Sequence, residues 1–230
     1  MKLKFIISSY SSYFFINLQY NTMMSKITIL YNSRKTMMDL LINLNYDVSG
    51  YNVFSINEID TMNQTDQLDM LVHHKTDTKK AYIKYYLPEK QKQISRLVVD
   101  EIIDDLFHVE NILTKQDTLI IIMDEEPNES NINKMNFLYE HDGCFIVMHN
   151  IKRLQYNILN HQLVPKMTIM KEDEVIQLML DKKIQHLNQL PEISRYDPHA
   201  LVMCLRPNEV CKIERNSVTA LNCIYYRVCV

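Results

Sequence analysis

Apolar residues in the chain fall into two kinds of pattern, one recurring every three to four positions and one running unbroken for five or six. Residues 27–46 carry Ile27, Leu30, Arg34, Met37, Leu41 and Leu44 at helical spacing, with Asn45-Tyr46-Asp47 ending the helix. Residues 50–67 are polar and predict irregular chain. Leu68–His73 predicts a short strand, and Ala81–Leu87 a tyrosine-rich one closed by Pro88. Ile94, Leu97, Val98, Ile102, Leu106 and Val109 form one helical face, with Asp100, Asp104 and Asp105 mostly opposite. Thr118–Met123 and Cys144–Met148 are unbroken apolar runs, which predict strands buried on both faces. Between them, Asn131–Glu140 predicts a helix facing inward through Ile132, Met135 and Leu138 or Tyr139.

Strand, helix, strand, helix, strand over residues 81–148 implies crossover connections and a partly parallel sheet. After residue 150 the pattern changes. Ile151–Asn160 reads as a linking segment for which a helix is an open alternative, and His161–Pro165 as extended. Glu172–Leu180 predicts a helix, with Thr168 as a cap and three acids at its start. Asp197-Pro198 starts another, a capping side chain followed by proline. Val210–Arg215 and Cys223–Val228 predict a hairpin joined by Asn216–Asn222. The boundary between two α+β units is expected near 150–160. The fold class expected is α+β, a sheet with parallel strands followed by a small α+β module.

Composition sharpens this picture at a few points. Only Gly50 and Gly143 are glycine, so turns must rely on Asn, Asp and Pro. Abundant Asn, Ile, Lys, Tyr and Met suggest an AT-rich genome, such as that of a large DNA virus or an AT-rich microbe. The formal charge of −3 is not that of a free-standing DNA-binding domain. Residues 160–230 are nearly balanced, nine Lys/Arg against eight Asp/Glu, so the acidic excess precedes them. Five cysteines occur without a CxxC pair, which reads as free thiols in a reducing compartment and no zinc site. His73-His74 reads as surface. Residues 1–22 imitate a signal peptide, but Ser-Ser-Tyr-Ser-Ser-Tyr interrupts the apolar run and no cleavage motif follows. They are expected to be an extension outside the fold, with Met23 or Met24 an alternative start.

Catalytic motifs are sparse. GxSxG, P-loop and GxGxxG patterns are absent. Cys144 near His141 and His149 hints at a thiol nucleophile, but a buried strand cysteine explains it better. No cofactor and no metal are expected.

The strongest pattern lies toward the C-terminus. His161-Gln162-Leu163-Val164-Pro165, Gln189-Leu190-Pro191-Glu192-Ile193, Tyr196-Asp197-Pro198, and Cys211-Lys212-Ile213-Glu214-Arg215-Asn216-Ser217-Val218-Thr219-Ala220-Leu221 with Tyr225-Tyr226-Arg227 stand in order. They resemble the His-Glu-Leu-Val-Pro, Gln-Leu-Pro-Arg-Ile, Asp-Pro and Val-Lys-Ile-Ile-Arg-Pro-Ser-Glu-Thr-Ala-Gly motifs of the fifth common subunit of eukaryotic RNA polymerases and its archaeal equivalent. Ser33-Arg34-Lys35-Thr36-Met37-Met38 is similar to that family's first helix. The chain departs from the family where two glycines become Cys204 and Asn208, and where the hairpin-loop proline and glutamate become Asn216 and Val218. Asn tolerates a left-handed turn, whereas Cys204 does so only at a cost, so the backbone there is expected to differ.

The resemblance implies a non-catalytic structural subunit of a multisubunit DNA-directed RNA polymerase. Residues 23–155 would form a jaw with a restriction-endonuclease-like sheet, and residues 156–230 an assembly domain docked on the largest subunit. Partner binding is expected at His161, Pro165, Arg195, Asp197, Arg215, Thr219 and Arg227, and proximity to downstream DNA at Pro88 and Pro127. The site of action would be that of transcription: the nucleus if cellular, the host cytoplasm or virion if viral. Neither membrane nor small-molecule substrate is expected. An active nuclease of that fold needs metal-binding carboxylates beside a lysine, and here Asp69 is followed thirteen residues later by Tyr82-Ile83-Lys84. A phenol does not replace a carboxylate toward Mg²⁺. Four acids in Asp124–Glu129 would repel phosphate, so DNA contact is expected to be weak. The alternative is an inactive nuclease-like interaction module outside polymerase.

Overall fold

A computed structural model of the chain describes residues 26–51, 54–88, 94–216 and 222–230. The expected extension over residues 1–22 lies outside the described residues. Helix α1 covers residues 26–43. There follow β1 (Tyr46–Asp47), α2 (Ile56–Gln64), β2 (Met70–His74), β3 (Lys80–Tyr85), α3 (Arg96–Ile103), β4 (Thr118–Met123), α4 (Glu129–His141) and β5 (Phe145–Asn150). The five strands lie in chain order. The first three pair antiparallel, while β3, β4 and β5 run parallel.

Strand alternation divides this sheet into two buried faces. Ile120 and Ile122 of β4 join Val72, Ile83 and Val147 against Leu30, Met37 and Leu41 of α1 and Ile59 of α2. Leu119, Ile121 and Met123 join Ile146 and Met148 against Val99 and Ile102 of α3 and Met135 and Leu138 of α4. A β4 residue therefore has no solvent side, which is why the run from Leu119 to Met123 is apolar throughout.

Several expectations need correction. Tyr46 and Asp47 stop α1 but also form β1, because Asn45 turns the chain at φ 65°. Residues 50–67 contain α2, started by Ser55, which accepts from the Glu58 N–H while the Glu58 carboxylate accepts from the Ser55 N–H. That capping box was written in the sequence. In the 94–109 segment, Leu97 and Val109 are exposed, and Val99 and Ile103 are buried instead. The π-helical stretch Asp104–Val109, with its wider turn, shifts the helix phase after Ile103 and turns Val109 outward; Leu97 lies in the first turn of α3, before that shift.

After β5, short 3₁₀ segments at Ile151–Gln155 and Ile158–Asn160 lead into the C-terminal part. Its elements are β6 (Lys166–Ile169), α5 (Glu172–Lys182), β7 (Glu192–Ile193), α6 (Pro198–Val202), β8 (Val210–Asn216) and β9 (Asn222–Cys229). They build a second sheet in the order β6-β8-β9-β7. His161–Val164 is a turn rather than extended chain, since the Val164 N–H donates to the His161 carbonyl at 2.9 Å. Thr168 lies within β6; α5 is capped at Lys171, whose N–H donates to Glu174 Oε2 at 2.9 Å. Asp197 does cap α6, accepting from the His199 N–H at 2.9 Å.

Candidate interaction site

The Asp69 constellation assembles as its spacing implied, but as a closed polar cluster. Lys84 Nζ lies 2.7 Å from Asp69 Oδ2, and Tyr82 donates its hydroxyl to the same oxygen at 3.1 Å. The Tyr85 N–H donates to Asp69 Oδ1 at 3.1 Å. Both carboxylate oxygens are thus engaged by protein donors. Burial, and next the Asp69 carboxylate, push the Tyr82 phenol upward, so it stays protonated and a donor. Among the described residues no three His, Cys, Asp or Glu are placed to hold a metal ion. Cys144 is buried in front of β5, and burial pushes its thiol up, away from the thiolate form a nucleophile needs.

The acidic loop after β4 is partly neutralised by its own neighbours. Lys152 Nζ lies 3.2 Å from Asp124 and Arg153 Nε 2.7 Å from Glu126. Asn128 caps α4 and Glu129 sits in its first turn, so part of the charge serves the helix. Pro127 is half-buried at the mouth of a cavity of about 140 Å³, which the C-terminal part closes with Arg195 and Tyr196. Pro88 is exposed beyond the end of β3.

The second sheet is small and covered on both faces. Val210 and Val228 pack with Leu178 of α5 and Leu190. Cys211 and Cys229, pointing the other way, pack with Ala200 of α6, Leu205 and Met167. The left-handed positions expected at this turn are kept: Cys204 has φ 50° and Asn208 φ 69°. Cys204 thus adopts the left-handed conformation despite its side chain, at a cost of about 1–2 kcal/mol. Burial pushes that thiol up to about 12.

The four arginines of the module divide into two pairs. Arg195 is buried, and its Nη2 donates to the Ile146 carbonyl on the outer edge of β5 at 3.0 Å. Arg206 Nη2 donates to the Asp117 carbonyl at 2.8 Å and Nη1 to the Lys115 carbonyl at 3.2 Å. Both guanidiniums sit over the Phe145 ring, at 5.2 and 4.7 Å from its centre. Tyr196 completes the seam by donating to Asn136 Oδ1 at 2.6 Å. This pair is used inside the chain, fastening the module to β5. Arg215 and Arg227 are exposed on the hairpin, where Arg227 also donates to the Glu192 carbonyl at 2.7 Å.

The remaining expected positions are spread out. Asp197 is exposed and engaged in its cap; His161 is exposed, its Nδ1 accepting from the Leu163 N–H at 3.2 Å; Pro165 is half-buried just before β6. Thr219 lies outside the described residues. Pattern reading overlooked Phe145, Asn136 and Tyr139 as partners of the arginines, because nothing local marks residues so far apart in the chain as neighbours. It also gave no partners to Arg34, which is fully buried in α1 and donates to the Leu68 carbonyl at 2.7 Å. Its guanidinium lies 5.9 and 5.6 Å from the Tyr51 and Phe54 ring centres. An arginine inside an apolar helical stripe was the available signal.

The module that carries the hairpin is also where similarity to known proteins lies. The family model described as RNA polymerase Rpb5, C-terminal domain, matches residues 156–229. DNA-directed RNA polymerase subunit Rpo5 of Thermococcus celer is 37% identical over 76 residues, 33% of this chain and 92% of that protein. The DNA-directed RNA polymerases I, II, and III subunit rpabc1 of Dictyostelium discoideum is 41% identical over 81 residues, 35% of this chain and 41% of that protein. The corresponding subunit of Caenorhabditis elegans is 40% identical over 77 residues, covering 34% and 36% respectively. The two-faced sheet and its hairpin thus lie within the stretch that matches these polymerase subunits. The chain belongs to the family of the fifth common subunit of DNA-directed RNA polymerases.

Proposed function

We propose that this chain is a structural subunit of a multisubunit DNA-directed RNA polymerase and performs no chemistry itself. In this reading residues 156–230 form an assembly domain that docks on the largest subunit. Residues 23–155 form a restriction-endonuclease-like part of the lower jaw beside downstream DNA. The observation that carries it is the coincidence of the family match over residues 156–229 with the outward-facing half of the module, where Arg215 and Arg227 project. His161, Pro165, Asp197 and Thr219 would contribute to the same docking surface, while Arg195 holds the module in place from within. The absence of catalysis is supported by Tyr82, whose hydroxyl takes the carboxylate oxygen a metal would need.

The jaw would lie near DNA through Pro88 and Pro127 with little direct affinity, since the Asp124–Glu126 loop spends its two nearest cations on itself. A salt titration of the full chain on duplex DNA is expected to give affinity no tighter than the ~10⁻⁴–10⁻⁶ M of non-specific binding. The site of action is that of transcription, in a nucleus or, for a viral chain, in the host cytoplasm or virion.

The deciding experiment is recovery of the tagged full chain from its native source. Stoichiometric co-elution with the other polymerase subunits is expected. Recovery of the chain without them would leave the alternative, an inactive nuclease-like interaction module, for which the Asp69–Tyr82–Lys84 cluster is the supporting observation. Mg²⁺-dependent cleavage of DNA by the pure chain would overturn both.

A further inference from the structure

The outer edge of β9 is open where the rest of the small sheet is closed. The Met170 N–H donates to the Val210 carbonyl, so Val210, Lys212 and Glu214 turn their backbone groups toward β6. Cys211, Ile213 and Arg215 therefore bond to Arg227, Tyr225 and Cys223 of β9. By the same alternation Ile224, Tyr226 and Val228 turn theirs outward. The strand β7 occupies only the far end of that edge. The Val228 N–H donates to the Pro191 carbonyl at 3.0 Å, the Val230 N–H to the Ile193 carbonyl at 2.9 Å, and the Arg195 N–H to the Val230 carbonyl at 2.9 Å. The next rung toward the hairpin turn requires an N–H from residue 191, which is proline. The ladder stops there by covalent necessity. Among the described residues, the outward N–H and C=O groups of Ile224 and Tyr226 have no partner.

We infer that this edge receives an extended, partly acidic segment of the largest polymerase subunit as an added strand. The inference rests on the docking role proposed above and gives it a binding mode. Exposed backbone groups in strand geometry call for another strand, because only a strand presents donors and acceptors at the matching repeat. The two faces specify its side chains. Ile224 and Tyr226 lie on one face and call for apolar neighbours. Tyr225 and Arg227 lie on the other, with Arg215 across the hairpin on the same side, and call for acidic ones. Ile224 and Tyr225 are each about half exposed, 49% and 48%, although both lie in a strand.

The opposite edge of the sheet is defended. The outer strand β6 is four residues long, begins with Lys166 and is preceded by Pro165, three devices that discourage pairing. Between Cys223 and Tyr226, β9 has neither lysine nor proline. A second copy of this chain is a poorer occupant: pairing β9 with β9 sets Arg215 and Arg227 of both copies on one surface.

The test uses the full chain with the largest polymerase subunit from the same source. On assembly, amide hydrogen exchange at Ile224 and Tyr226 is expected to slow at least about tenfold, the effect of hydrogen bonding worth roughly 1.4 kcal/mol. The variant Ile224→Pro removes an outward N–H and leaves the β8 pairing intact. It is expected to melt like the parent and to recover roughly tenfold less of the largest subunit. Unchanged exchange at both amides in an assembled complex would overturn the added strand while leaving the docking role standing. So would full recovery by Ile224→Pro. A homodimer of the free chain that Ile224→Pro dissolves would assign the edge to a second copy instead. Failure of the parent chain itself to recover the largest subunit would sink the docking role, and this inference with it.

Discussion

The two sheets of this molecule solve opposite problems with the same elements. In the first, β4 and β5 are buried at every position and the edge of β5 is closed by the Arg195 guanidinium. In the second, each face carries one helix and a handful of apolar residues, and the hairpin extends past both cores. The larger sheet spends its surface on itself; the smaller one keeps surface in reserve. Yet the relatives match the smaller.

That contrast can be broken in order of severity. Ile121→Ala removes a fully buried β4 side chain and is expected to cost about 3 kcal/mol in denaturant unfolding. A loss below about 1 kcal/mol would mean that the first sheet is not the rigid body described. Arg195→Ala leaves the Ile146 carbonyl buried without its donor and is expected to cost about 2 kcal/mol. It should also split thermal unfolding into two transitions, one for each sheet; a single sharper transition would contradict the seam. A third test uses His149 on β5, where burial, with Arg153 second, holds the imidazole at about 4 against an ordinary 6.5. The folded chain refuses a proton that the unfolded chain accepts. Stability is therefore whole above pH 6.5 and falls as pH drops toward 4, by roughly 1.4 kcal/mol per unit within that window. His149→Asn should flatten that portion of the pH profile relative to the parent. The smallest effect is at Cys204. Replacement by Ala keeps the left-handed strain and replacement by Gly removes it, so Gly should be more stable than Ala by about 1 kcal/mol.

How much of this was legible from sequence depends on the range of the signal. β4 was read to its limits, because five consecutive apolar residues after Thr118 admit few other readings. The Asp197 cap and the hairpin strands were legible for similar reasons, each being a local pattern. α2 was missed although Ser55 and Glu58 spelled its start, since its apolar face is thin and Ile59 is its one buried residue. The phase error at Val109 arose from the π-helical turn, which no periodicity of 3.6 anticipates. The division of the arginines was out of reach. Arg195 and Arg227 look alike in sequence, and only the approach of β5 decides that one turns inward and the other outward.

The cover over β5 also has a history within each molecule's synthesis. The strand Phe145–Asn150 leaves the ribosome about 45 residues before Arg195, and 80 before the chain ends. At roughly 5–20 residues per second, the apolar edge Phe-Ile-Val-Met waits about 2–9 seconds for its lid. During that interval the nascent protein carries an unsatisfied, adhesive border, so chaperone capture and inclusion-body formation should concentrate on chains truncated between those two points.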